Sequence, residues 1–238
     1  MKLAPERDLN REQKIVIDDI DIPVLVDGNE HAAITVLLAH GAGAGMDHEF
    51  MTDIAQRLAC EQIKVVRFNF PYMAKRAITG KKSPPDRAPK LLAAFEALIA
   101  HYTQSKTCLF LAGKSMGGRM ASHLSQLETV RGVMCLGFPF HPPKQLEKYR
   151  GEHLACVTKP MLIVQGERDT FGTREECSAF VLSSSIALEF IPDGDHGFKP
   201  RVRSGFTETG NRELAVTKMR DFIERNTGAM RNDNDNNI

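Results

Sequence analysis

The chain has 238 residues, 42% of them hydrophobic and 26% charged, with a formal net charge of +1. This is the composition of a soluble globular protein with a sizeable core. The near-neutral balance gives no reason to expect nucleic acid or an anionic membrane as a partner, and no apolar run reaches the ~18 residues a membrane helix needs.

The opening residues, MKLAPERDLNREQ, lack the apolar segment of a secretory signal. Five cysteines, an odd number with no CxxC pair, suit a reducing compartment, so a cytoplasmic location is expected. VIDDI and IPVLVDG are expected to pair as an antiparallel edge hairpin. Residues 34–40 (ITVLLAH) are continuously apolar and end at a Gly-rich turn, which predicts a buried strand. Residues 48–60 carry apolar side chains at Phe50, Met51, Ile54, Ala55 and Leu58, the spacing of a helix. IKVVRFNF (63–70) predicts the next strand, which Pro71 stops. Residues 72–89, rich in Lys, Arg, Pro and Gly, read as a loop.

LLAAFEALIAHY (91–102) predicts a helix, TCLFLAG (107–113) a strand, and residues 115–127 a helix. VRGVMCLGF (130–138) is a strand ending in a Pro-rich loop. PMLIVQG (160–166) is a strand, 174–182 a helix, IALEFIP (186–192) the last strand and 211–225 a final amphipathic helix. Residues 227–238, ending in RNDNDNNI, are expected to form a disordered polar tail, leaving residues 1–226 as a single domain. Apolar strands separated by helices imply a mostly parallel sheet covered by helices on both faces. Such sheets place ligands beyond the carboxyl ends of their strands.

Four motifs fall there. Gly113-Lys114-Ser115-Met116-Gly117 is G-x-S-x-G between a predicted strand and a predicted helix, the setting of a nucleophile elbow. A serine capping a helix is the bland alternative. His40-Gly41-Ala42-Gly43-Ala44-Gly45 follows the strand at 34–40 and leaves backbone N–H groups open to an anion. It lacks the G-x-G-x-x-G spacing of a dinucleotide loop, and the next strand ends in Arg67 and Asn69 rather than an acid. Asp169 follows the strand at 160–166, and His196, between Asp195 and Gly197, follows the last strand. The order Ser115, Asp169, His196 is that of nucleophile, acid and base on α/β-hydrolases. Each residue alone has an ordinary structural reading; all on one sheet edge, in order, they do not. Asp193 and Asp195 compete with Asp169 but lie too near His196 in sequence.

At these positions the sequence resembles the α/β-hydrolase superfamily. HGAGAGMDHEFM, RFNFPYM, GKSMGGRMAS, GFPFHPP, QGERDTFGT and DGDHGF are similar to one little-characterised group within it. That group includes bacterial predicted hydrolases, a testis-expressed protein and the hydrolase-like domain of a nonspecific-lethal chromatin complex subunit. The resemblance implies the α/β-hydrolase fold and the triad positions, and no substrate. Dienelactone hydrolases are similar more broadly, but carry cysteine where Ser115 stands.

The expected function is a serine hydrolase acting on a small-molecule acyl substrate, an ester or thioester, through an acyl-enzyme. Backbone N–H groups of Ala42 and Met116 are the expected oxyanion donors. No metal or organic cofactor is expected. A serine peptidase or amidase, and a non-catalytic scaffold keeping the fold, are the competing classes. The short segment 137–157 leaves no room for a large lid. Phe140 and His141 are expected at the mouth of the site, with Gly43 and Tyr72 as further substrate contacts. His141 is alternatively a brace for its Pro-rich turn. Lys75, Arg76, Lys81, Lys82 and Arg87 could attract an anionic substrate or simply form a solvated loop. Arg67, inside an apolar strand, calls for a carboxylate partner.

Overall fold

The computed structural model describes residues 9–17, 20–103 and 107–227. Residues 228–238, most of the polar tail, and most of the N-terminal stretch lie outside the described residues. Eight strands form one sheet: β1 (Arg11–Ile17), β2 (Ile20–Asp27), β3 (Ile34–Ala39), β4 (Ile63–Phe68), β5 (Cys108–Lys114), β6 (Val130–Leu136), β7 (Met161–Gly166) and β8 (Ile186–Ile191). Their spatial order is β1-β2-β4-β3-β5-β6-β7-β8. From β4 to β8 every neighbouring pair is parallel, and β1 and β2 join antiparallel. The expected edge hairpin is present, with its first strand starting at Arg11 rather than Val16. Its turn residues, 18 and 19, lie outside the described residues.

The helices are α1 (Glu49–Leu58), α2 (Pro71–Thr79), α3 (Ala88–Thr103), α4 (Met116–His123), α5 (Arg174–Cys177) and α6 (Glu208–Thr227). Alternation along the buried strands divides the core between them. Leu37, Leu111, Val133 and Ile163 face Phe95, Leu98 and Met120 of α3 and α4. Val36, Leu38, Phe110 and Val164 face Ile54 and Leu58 of α1 and Met219 and Phe222 of α6. Both faces of the central strands β3 to β7 are therefore dry, which accounts for their nearly continuous apolar runs.

The reading of residues 72–89 as a loop is corrected. Pro71 ends β4 and also starts α2, where its missing N–H is harmless at the first helical position. Gly80, with φ 67°, ends that helix in the left-handed conformation. The predicted helix at 174–182 is likewise corrected: a Thr173–Glu176 capping box opens α5, but the helix stops at Cys177.

Arg67 finds its carboxylate in Asp27, the last residue of β2. Both side chains are fully buried, and Arg67 Nε and Nη2 donate to Asp27 Oδ2 at 3.0 and 2.8 Å. Arg67 Nη1 also donates to the Met46 carbonyl and to Thr52 Oγ1, tying the hairpin to the loop before α1.

Because β3 is followed by β4 on one side and has β5 on its other, the connections leaving β3 and β5 diverge. The crevice between them is the topological switch point, where open α/β sheets bind ligands. Among the described residues no lid covers it: between β6 and β7 the only helical element is a 3-10 turn at Glu152–Cys156. No helix among the described residues is long and apolar enough to cross a membrane.

Candidate active site

Ser115 sits between the end of β5 and the start of α4 with φ 51° and ψ −115°. A non-glycine residue in this region costs roughly 1–3 kcal/mol and persists only where its surroundings impose it. Here the surroundings are glycines. A Cβ on Gly117 would lie 2.5 Å from the Ala39 carbonyl oxygen, and one on Gly113 would lie 2.3 Å from the Gly117 carbonyl carbon. The Ser115 N–H donates to the Leu136 carbonyl on β6 at 2.9 Å, locking the turn. The serine caps no backbone N–H with its side chain, so the helix-capping reading does not hold.

Instead, Ser115 Oγ lies 2.9 Å from His196 Nε2, and His196 Nδ1 lies 2.8 Å from Asp169 Oδ2. A carboxylate only accepts, so the proton sits on Nδ1 and Nε2 accepts from the serine hydroxyl. Asp169 is fully buried; Oδ1 accepts from the Phe171 N–H at 2.9 Å and Oδ2 from Gln165 Nε2 at 3.0 Å. The Phe171 ring lies against the His196 imidazole with centroids 4.4 Å apart. The structure therefore brings Ser115, Asp169 and His196 together.

The competing acids are engaged elsewhere. Asp195 Oδ1 accepts from the Gly197 and Lys199 N–H groups, closing the tight turn that presents His196. Asp193 pairs with Arg201 and Arg168, and the Arg201 hydrogen bond holds its carboxyl down to about 2.

Ala42, Gly43 and Ser115 line one cavity of about 490 Å³ together with Phe50, Met51 and His196. Met116 N–H, at the head of α4, and Ala42 N–H have no backbone acceptor among the described residues. Phe140, His141 and Tyr72 are not among its lining residues. Phe140 is fully buried, 4.8 Å from Phe180 between ring centroids. His141 is 1% exposed, held between the Pro142 carbonyl at 2.9 Å and Glu176 Oε2 at 3.3 Å. It braces the Pro-rich turn. The Tyr72 hydroxyl donates to the Ala42 carbonyl at 3.0 Å and so supports the loop from beneath. Arg76 Nη1 reaches the Gly43 carbonyl at 3.3 Å, whereas Lys81, Lys82 and Arg87 belong to a separate groove on the other side of α2.

Three residues of the site had no assigned part in the sequence reading. His40 is fully buried; its Nε2 accepts from the Phe70 N–H at 3.0 Å and its Nδ1 donates to the Gly41 carbonyl at 2.7 Å. Burial lowers its pKa, so it is a neutral clamp between the ends of β3 and β4. Gln165 on β7 donates to the carbonyls of Phe138 and Gly172 and accepts from the Phe138 N–H. It anchors the Asp169 turn to the end of β6, and a lone polar residue closing an apolar strand was its signal. Lys114 Nζ donates to the His196 carbonyl at 2.5 Å. Among the described residues no group of three or more His, Cys, Asp or Glu is arranged to hold a metal ion.

The family profile of an alpha/beta hydrolase domain matches residues 32–224. Among solved structures, an alpha-beta serine hydrolase homologue from Coxiella burnetii superposes with a TM-score of 0.67 at 21% identity, covering 89% of this chain and 98% of its own. A lidless a/b serine hydrolase from Xanthomonas campestris matches with TM-score 0.65 at 18% identity over 91% and 96% of the two chains. An esterase from Pyrococcus furiosus matches with TM-score 0.65 at 17% identity over 92% of each. At these identities the likeness is one of fold.

Proposed function

The chain belongs to the alpha/beta hydrolase domain family, and we propose that it is a serine hydrolase cleaving an ester or thioester of a small molecule. The observation that carries this reading is the unbroken hydrogen-bonded chain Ser115–His196–Asp169, at 2.9 and 2.8 Å, opening on a cavity. Within the family we place it with the little-characterised group whose motifs it shares, which adds no substrate.

His196 Nε2 takes the Ser115 proton as Oγ attacks the acyl carbonyl carbon. The buried Asp169 carboxylate holds the Nδ1–H tautomer and stabilises the imidazolium that forms. The Ala42 and Met116 N–H groups receive the oxyanion, with the N-terminal end of α4 adding its dipole. Loss of one such donor typically costs ~2.7–4 kcal/mol. The imidazolium then protonates the leaving alcohol or thiol, and His196 activates water to release the acyl group. No cofactor enters these steps. The apolar wall of Phe50, Met51 and Phe171 suits the carbon skeleton of an acyl group.

The test is turnover of short p-nitrophenyl esters. A burst of p-nitrophenol stoichiometric with protein, then steady release, is expected, with both lost in Ser115→Ala. A folded protein that turns over neither these esters nor peptides is a scaffold. Cleavage of peptides but not esters points to the peptidase class.

A further inference from the structure

Lys114 is the last residue of β5, immediately before the nucleophile, and lines the same cavity as Ser115. Its ammonium has a single hydrogen-bond acceptor among the described residues, the His196 carbonyl, leaving two N–H groups without one. Around it stand the ring faces of Phe50 and Phe198, at 5.5 and 6.0 Å from Nζ. Ring faces attract a cation but do not neutralise it.

The other charges around this cavity are largely committed. Arg212 is paired with Glu49, Asp53 and Glu208. Asp195 is held by two backbone N–H groups, and Asp169 is buried with His196 and Gln165. Lys199, also at the cavity wall, has no ion pair among the described residues. Lys114 and Lys199 are therefore the cations of this cavity with no carboxylate in ion-pair contact among the described residues, and Lys114 sits beside the nucleophile. Burial brings the Lys114 pKa down to about 8, against the opposing pull of Asp169 and Asp195. A ligand anion would offset that penalty by favouring the charged form.

We propose that Lys114 is a specificity-determining residue that binds a carboxylate carried by the substrate, so that the site selects anionic esters or thioesters over neutral ones. The proposal rests on the serine hydrolase reading and names its substrate class. An amine recessed among aromatic rings discriminates strongly. A bound carboxylate gains a charge-assisted hydrogen bond, whereas a neutral chain end leaves the ammonium unpaired.

Two ester series test it. In one, p-nitrophenyl half-esters of succinate, glutarate and adipate are compared with the butyrate, valerate and hexanoate esters, placing the charge on the acyl side. In the other, 3-carboxyphenyl butyrate is compared with phenyl butyrate, placing it on the alcohol side. In at least one series the charged member is expected to have a kcat/KM at least tenfold above its neutral counterpart. That ratio should fall tenfold or more in Lys114→Met and in Lys114→Gln, with the loss mainly in KM. Because the readout is a ratio, a general loss of activity from disturbing the His196 loop does not mimic it. Neutral esters equal or preferred in both series of the wild type, or a ratio unchanged in the variants, overturns the proposal while leaving the hydrolase reading intact. Turnover of neither charged nor neutral esters overturns the hydrolase reading, and this proposal with it.

Discussion

Three side chains that the structure brings together were legible because each follows the end of a strand. Ser115 needs a sharp turn, which demands small residues on both sides, and Gly113, Gly117 and Gly118 supply them. Asp169 and His196 were readable from their order behind it. His40, Gln165 and Lys114 were not, because each acts through a backbone carbonyl or N–H of another strand end, and such partners leave no pattern in sequence. The geometry around Asp169 makes a sharp prediction. Asp169→Asn keeps the shape of the side chain but allows the wrong His196 tautomer, and the expected loss in kcat is on the order of 10⁴-fold. Asp195→Asn keeps an oxygen for the Gly197 and Lys199 N–H groups and is expected to stay within about tenfold of wild type. Ester hydrolysis by the two purified variants decides between the carboxylates; equal losses would remove Asp169 from its assigned part.

Among the elements, the parallel strands were legible from apolar runs, and their ends agreed within a residue or two. What the sequence concealed were elements defined by tertiary context. Pro71 looked like the start of a loop because proline stops a strand, yet it also opens α2. The short α5 looked longer because Phe180 and Leu182 keep an apolar rhythm, although they pack against the core outside any helix. The β1–β2 hairpin depends on a partner 40 residues away in sequence, Arg67 with Asp27. Breaking a buried pair by removing one charge costs about 3–5 kcal/mol, since the other charge stays desolvated. Asp27→Asn is accordingly expected to lower the urea midpoint by that much stability at an unchanged slope. A midpoint within error of wild type would show the pair to be dispensable. At the crossing of α4 over β3, Gly117→Ala places a methyl 2.5 Å from the Ala39 carbonyl oxygen, where backbone cannot yield. The expected result is a protein that folds poorly or loses several degrees of Tm, and an unchanged Tm would contradict the packing described.

For the molecule as a whole, three histidines contribute to the response to acid: His40 is buried, His153 half-buried and His123 exposed at its edge. Burial is the main cause of the lowered pKa of His40, His123 and His153, and it brings His153 to about 4 with His123 and Arg119 adding repulsion. His153 stacks on His123 at 3.9 Å and its Nε2 is 2.8 Å from Ser122 Oγ. In the unfolded chain these histidines take up protons near 6.5, while in the folded chain they resist. Above 6.5 both states are neutral and the groups contribute nothing. As pH falls from 6.5 towards 4 the unfolded state binds more protons and stability drops; below 4 the His153 contribution levels off. Asp193 acts only at lower pH, where its salt bridges to Arg201 and Arg168 are lost on approach to about 2. Denaturation midpoints should stay level from pH 7.5 to about 6.5 and fall from there towards 4, less steeply in His153→Gln. An identical slope in that variant would remove His153 from the account.

The proposed function rests on Ser115 being an activated nucleophile. It is tested most directly by treating the intact protein with an alkyl fluorophosphonate and locating the adduct by peptide mass spectrometry. The expected result is a single adduct on the peptide carrying Ser115, absent from Ser115→Ala and strongly slowed in His196→Ala. Labelling that persists in Ser115→Ala, or a folded wild-type protein that takes up no label, would contradict it.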